Sequence, residues 1–264
     1  MAIKASQPCN SLEMPIHKTE AIILRRRDFR ETSLIIDFYT RECGKISGLL
    51  KGVRAEPKKF ASNMELFSHN EILFYRGRTS SLHLVSHCDL KEDFPGVRKD
   101  LARVGIASCM VELVAALMPQ EDPNPEVFSL SIECLREIAG YYYPEKILTI
   151  FKIKILALSG FKPHFDSCVA CGHKVLSEAK FSLSLGGLLC GRCQGKDTAG
   201  RSIFRGTVAT IMHIERNNLR ANLSLGMNPQ IRRELSAILN GFLNFHLEKE
   251  LKSQSVLNKI AYSV

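Results

Sequence analysis

The spacing of apolar residues changes along this chain, and each change marks a structural regime. Between Thr19 and Cys88 the apolar residues come in short runs or alternate. Ala21-Ile22-Ile23-Leu24 and Leu34-Ile35-Ile36-Asp37-Phe38-Tyr39 are β-branched and aromatic runs, and others fill 45–50, 66–75 and 81–86. In the last, His83, Val85 and His87 alternate with Leu82, Leu84 and Ser86, the period of a strand. Turn signals separate the runs at Glu42-Cys43-Gly44, Gly52 and Arg76-Gly77-Arg78. Five strands in about 70 residues predict a small closed barrel, which leaves no sheet edge exposed. The OB-fold is the commonest such barrel with a nucleic-acid habit.

From about Asp93 the period lengthens. Leu101, Val104, Ser108, Val111 and Ala115 recur at three and four, as on one face of a helix. The same spacing predicts helices over 128–139, 145–158, 206–216 and 228–251. Ile231, Leu235, Ile238, Phe242 and Phe245 form the expected buried face of the last one. Pro95, Pro119, Pro123, Pro125, Pro144 and Pro163 punctuate the segments, where a missing N–H costs no helix bond. The expected architecture is therefore α+β and multidomain. Residues 1–17 are a disordered extension, 18–90 a five-stranded OB-fold barrel, and 91–264 a helical domain interrupted by a cysteine module at 165–196. The barrel is expected to stand as a unit separate from that module.

The module carries the most specific chemistry. Cys168-Val-Ala-Cys171 and Cys190-Gly-Arg-Cys193 are two Cys-x-x-Cys pairs whose separation fits a four-thiolate zinc site. Two intervening residues let one tight turn aim both sulfurs at one ion, and two such turns complete a tetrahedron. Gly172 and Gly191 let the backbone bend at each turn. Four protein ligands leave no position for water, so the expected zinc is structural, one per chain. His164 and His173 flank the cysteines and are expected to be spectators. The chain has 9 cysteines, and Cys9, Cys43, Cys88, Cys109 and Cys134 lack framework spacing. That suits a reducing cytoplasm. The first residues contain no apolar stretch of signal-peptide type, and no apolar run approaches the ~18 residues of a membrane span.

Charge points to a polyanionic partner. The 264 residues carry a net charge of +9. Residues 1–88 contribute +5, 89–199 contribute −1 and 200–264 contribute +5, a basic front and tail around a neutral middle. In the barrel the cations cluster: Arg25, Arg26 and Arg27 with Arg30 after the first strand, Lys51, Arg54, Lys58 and Lys59 after the third, Arg76 and Arg78 around a hairpin glycine. Phe29, Phe60 and Tyr75 lie among them. Cations that track phosphates, interleaved with aromatic faces that stack bases, are the means of single-strand binding. Signatures of catalysis are missing: the sequence has no phosphate loop, no G-x-G-x-x-G, no H-E-x-x-H and no G-x-S-x-G. Ser159-Gly-Phe-Lys162 and Ser177-Glu-Ala-Lys180 fit S-x-x-K without its companion elements and are chance matches; an enzyme with an unrecognised active site stays open at this point.

From Thr19 to Lys259 the sequence resembles the RecO family of bacterial recombination mediators. The resemblance rests on Ala21-Ile-Ile-Leu-Arg-Arg-Arg-Asp-Phe-Arg-Glu31, Phe38-Tyr-Thr-Arg-Glu-Cys-Gly-Lys45, Leu50-Lys-Gly-Val-Arg54, Glu65-Leu-Phe-Ser68 and Leu73-Phe-Tyr-Arg-Gly-Arg78. It continues in Gly160-Phe-Lys-Pro163, Asp166-Ser-Cys168, Cys171-Gly172, and Phe181-Ser182 through Gly186-Gly-Leu-Leu-Cys190. The chain departs from the family pattern at Arg30, where a small residue is usual, and at Ala55-Glu56, which interrupts the basic loop. Glu65-Leu66 stands where Glu-Pro is common. The resemblance implies an OB-fold, a helical domain with a four-cysteine zinc module, and no enzymatic activity. It implies a monomer that binds single- and double-stranded DNA, anneals complementary strands, and works with RecR to place RecA on DNA coated by single-strand-binding protein. It also implies capture of that protein's acidic, apolar-ended C-terminal tail. A receptor for the tail needs an apolar groove and nearby cations. The residues expected to supply them are Leu101, Val104, Val111 and the helix from Glu145 to Leu158, with Lys152, Lys154, Arg216 and Arg220. A zinc-ribbon accessory factor of transcription or translation is the alternative function.

Overall fold

The computed structural model describes residues 16–53, 55, 60, 64–77, 81–141, 143–175 and 179–261. Five strands, β1 (Ile16–Phe29), β2 (Ser33–Thr40), β3 (Gly44–Leu50), β4 (His69–Tyr75) and β5 (Leu82–Glu92), close into a barrel in the order β1-β2-β3-β5-β4. The β3–β5 contact is parallel and the others are antiparallel. This is the strand order of an OB-fold. Ala21, Ile23, Leu34, Ile36, Phe38, Ile46 and Phe74 fill the barrel. Phe60 is buried with them and is no stacking platform, contrary to the expectation from its basic neighbours. β1 begins two residues inside the expected extension, because His17 pairs with Phe74 and Ile16 with Tyr75.

The helical body follows: α1 (Leu101–Leu117), α2 (Pro125–Gly140), α3 (Pro144–Leu158), α4 (Arg205–Arg216), α5 (Leu219–Ser224), α6 (Pro229–Leu247) and α7 (Lys252–Ala261). Local chemistry sets its helix starts. Asp100, Asn124 and Asn228 accept N–H bonds from Arg103, Val127 and Ile231, and Pro125 and Pro229 occupy the first turns of α2 and α6. The Glu112 carboxylate of α1 accepts the N–H groups of Lys252 and Ser253, capping α7 from a neighbouring helix. Three short strands, β6 (Ala179–Ser182), β7 (Gly187–Cys190) and β8 (Arg201–Ile203), form a sheet in the order β7-β6-β8 between α3 and α4. Among the described residues, no helix is long and apolar enough to cross a membrane.

The barrel and the helical body share a core. Ile22 and Leu24 point out of the barrel, and with Tyr39 and Phe67 they join the cluster built by α1, α2 and α3. Ile22 and Leu24 meet Met110, Val111, Val114 and Leu135 around a cavity of about 10 Å³. The centre of β1 is therefore buried on both faces. The β2–β3 turn adds a close backbone approach. Gly44 has φ +68, and a Cβ there would lie 2.4 Å from the Asp122 carbonyl oxygen. Beside it Lys45 donates to the Ala115 carbonyl at 2.6 Å.

Two expected helix faces differ from the structure. α1 buries Gly105, Ile106, Cys109, Met110, Leu113 and Val114 besides Val111, while Leu101 is 73% exposed. The reason is position: barrel, α2, α3 and α7 surround α1, so a one-sided stripe does not describe it. On α6, Leu235, Ile238 and Phe242 are buried as expected, but Phe245 is 51% exposed. The predicted helix over 228–251 is also broken, since α6 ends at Leu247 with Glu248 in the left-handed conformation.

Candidate functional site

The cysteine module is built from two turns held by one hairpin. Gly172 closes the first turn by donating its N–H to the Cys168 carbonyl at 2.8 Å, with φ +71, a conformation open to glycine. The second turn follows β7, and Cys193 N–H donates to the Cys190 carbonyl at 2.9 Å. Gly191 is not among the residues with positive φ, so the second bend does not need it. The first turn is tied to β7 by Val169 N–H, which donates to the Leu188 carbonyl at 2.8 Å. Cys168, Leu189 and Cys193 form a small core of their own.

All four sulfurs lie within 4.8 Å of one another, so the set can hold a metal ion. Burial opposes charge on Cys168, but N–H groups of Cys190 and Ala170 outweigh it and hold its thiol at about 6. The Cys171 side chain first, and burial second, push Cys193 up to about 12. Once one thiolate forms, its neighbours resist the next, and full deprotonation calls for a cation among them. Four convergent sulfurs fit a soft, tetrahedral divalent metal. His164 Nε2 lies 2.7 Å from Ser167 Oγ, and His173 Nδ1 donates to the Cys171 carbonyl at 3.1 Å. Neither histidine belongs to the four-sulfur group.

The basic residues of the barrel separate into two places. Arg25, Arg26 and Arg27 are all exposed on β1. Beyond Ile23 that strand is laddered to β2, with Arg25 opposite Asp37 and Phe29 opposite Ser33. Arg27 pairs with Asp37 at 3.1 Å. Arg30 sits 5.2 Å over the Phe29 ring. Lys51 is exposed just past β3, whose Leu50 pairs with Leu34. Arg76 follows Tyr75, which pairs with Ile16 at the opposite end of β1, and it is ion-paired with Glu121 of the α1–α2 connection. Arg54, Lys58, Lys59 and Arg78 lie outside the described residues.

The four cations expected to receive a protein tail do not converge. Lys152 is buried and donates to Asn240 Oδ1 at 2.6 Å and Gln254 Oε1 at 2.5 Å. Burial pushes its ammonium down to about 8. Lys154 faces a different hollow, beside Glu126, Glu133 and Glu215, and burial lowers its pKa too. Arg216 borders a cleft between α4 and the cysteine module. Arg220 is exposed on α5. Lys152 alone of the four lines the groove of about 890 Å³ between α1, α3, α6 and α7. Ile106, Leu148, Leu239 and Leu257 give this groove apolar walls, and Lys146 and Arg232 join Lys152 as its cations. Sequence reasoning missed Lys146 and Arg232, because the groove forms only when helices distant in sequence pack.

A barrel in OB order joined to a helical body that carries a four-sulfur module defines a two-part protein. The family model "Recombination protein O N terminal" matches residues 14–94, and "Recombination protein O C terminal" matches residues 98–255. The DNA repair protein RecO of Pelotomaculum thermopropionicum is 34% identical over 246 residues, covering 93% of this chain and 95% of the relative. RecO of Syntrophus aciditrophicus is 32% identical over 251 residues, covering 92% and 96%. RecO of Alkaliphilus metalliredigens is 30% identical over 245 residues, covering 92% and 99%. The chain belongs to the RecO family of DNA repair proteins.

Proposed function

We propose that this protein is a non-catalytic, cytoplasmic recombination mediator. It binds single- and double-stranded DNA, anneals complementary strands and, with RecR, helps load RecA onto DNA coated by single-strand-binding protein. The observation that carries the reading is the run of exposed arginines, Arg25, Arg26 and Arg27, on the ribbon where β1 leaves the barrel. Phosphate contacts of this kind read no base edges, so binding has little sequence preference. Reversing Arg25, Arg26 and Arg27, or Lys51, Arg54, Lys58 and Lys59, to Glu should slow annealing. It should also lower the salt slope of single-strand binding by about one for each phosphate left without its cation. If both sets of variants anneal complementary oligonucleotides like the parent, DNA does not bind this face of the barrel. Annealing also separates this reading from a transcription or translation accessory factor, which needs none.

The metal in this reading is one structural zinc held by Cys168, Cys171, Cys190 and Cys193, favoured by the all-sulfur donor set. The tail of single-strand-binding protein is assigned to the groove between α1, α3, α6 and α7. Apolar walls suit its terminal side chains, and Lys146, Lys152 and Arg232 suit its carboxylates. A carboxylate brought to Lys152 favours its charged form, so binding near pH 8.5 takes up protons. Anisotropy with a labelled tail peptide, together with calorimetry in two buffers of different ionisation enthalpy, tests both points. Unchanged affinity in Arg232→Glu, with no proton uptake, would remove the groove from the reading.

A further inference from the structure

One end of the barrel holds a cavity of about 280 Å³ that the proposed function does not use. Its walls are barrel core. The Phe74 ring stacks on His17 at 5.2 Å and 22°, and lies 5.3 Å from the His83 ring at a tilt of 45°. His83 is 1% exposed, a buried imidazole beside the barrel's apolar core. Its Nδ1 accepts the Gly77 N–H at 3.2 Å, which leaves Nε2 to carry the proton, 3.4 Å from Glu121. The Nε2 of His17 is buried and has no hydrogen-bond partner. A buried imidazole nitrogen left unpaired by the protein is free to bond a group that enters the cavity. Lys18, ion-paired with Glu71 at 2.9 Å, and Arg76, ion-paired with Glu121, stand at the rim with Glu42.

We infer that this cavity receives one unpaired nucleobase, with its phosphate toward Lys18 and Arg76. The inference rests on the DNA-binding reading above. Both rim cations already have carboxylate partners, so a free inorganic anion, with no base to bury, gains little there. A nucleobase brings donors as well as acceptors, a flat face for the His17 ring that Phe74 backs, and an acceptor or donor edge for the orphan nitrogen. The volume is at the lower limit of small-ligand pockets, room for one base and not for a stacked pair. Bases in a duplex have their edges engaged and cannot enter without flipping. The cavity therefore favours single strands over duplex, and pairing with a complementary strand empties it.

The test uses the full chain, the four deoxynucleoside monophosphates, and a twelve-nucleotide thymidylate strand carrying one 2-aminopurine. Saturation-transfer NMR should show base protons in contact with wild-type protein, and excess inorganic phosphate should not displace them. His17→Leu and Cys43→Phe, the second filling the cavity from the β2–β3 turn, should each weaken single-strand binding on the order of tenfold. Duplex binding should be unchanged in both. The inference is overturned, with the DNA-binding reading intact, if the strand binds wild type while the monophosphates give no transfer. It is also overturned if phosphate competes as well as nucleotide, which would define a plain anion site. Absence of any strand binding by wild type would remove the DNA-binding reading and this inference together. The wild-type arms decide the matter even if a variant does not fold.

Discussion

Lys152 shows what one buried charge does to the rest of the molecule. Its two amide acceptors, Asn240 and Gln254, satisfy protons but bring no countercharge. In the unfolded chain the ammonium titrates at the ordinary 10.5, and in the fold at about 8. Below about 8 the fold bears the full cost of burying the charge, on the order of 3 kcal/mol. Between those values the unfolded state holds more protons, so rising pH stabilises the fold and relieves that cost. Lys152→Met removes the titration. Urea unfolding at pH 7 and pH 10 should show wild type gaining stability relative to the variant at the higher pH. Parallel behaviour of the two proteins would mean that the ammonium is solvated. Lys152 also marks where residue-level reading of the sequence stops. A lysine in an apolar stripe looks like a solvated cation until Asn240 and Gln254, from helices far along the chain, close over it.

Among the elements, the cysteine module owes its order to local geometry. Its core of Cys168, Leu189 and Cys193 is separate from the two larger cores. Cys171→Ser should therefore leave less than half an equivalent of metal and loosen residues 165–195, while amide exchange in the barrel and in α1–α3 stays native. Loss of barrel protection in that variant would contradict the separation. Phe165, Phe181 and Leu188 belong to the helical core and keep the base of the module anchored. This element was legible in the sequence because thiolate spacing and turn residues act over a few positions. The strands were legible too, since alternation such as His83 and Val85 reports a single inward face. The face of α1 was not, because neighbours surround the helix and erase any stripe. Phe245 misled for another reason: this end of α6 turns Phe242, Leu243 and Leu247 to the core and leaves Phe245 outside. The basic clusters were legible as composition, but their division between the β1–β2 ribbon and the far end of the barrel depends on register.

On the scale of the whole molecule, the barrel and the helical body are joined more tightly than their domain boundary implies. Ile22, Leu24 and Tyr39 bury against α1 and α2, and Arg136 pairs with Glu92 across the junction at 2.8 Å. Denaturant should unfold barrel and helices together, with coincident transitions by far-ultraviolet circular dichroism and by exchange of barrel amides. A fragment of residues 1–92 would expose the outer face of β1 and should aggregate or remain partly folded. A soluble, cooperatively folding fragment would show that the shared core is dispensable. The doubly buried strand also sets an order of events in the living cell. β1 leaves the ribosome before α2, and the partners of Leu24 extend to Leu135. At common rates of synthesis that leaves an interval on the order of ten seconds. Through that interval the nascent barrel carries an apolar flank whose partners do not yet exist.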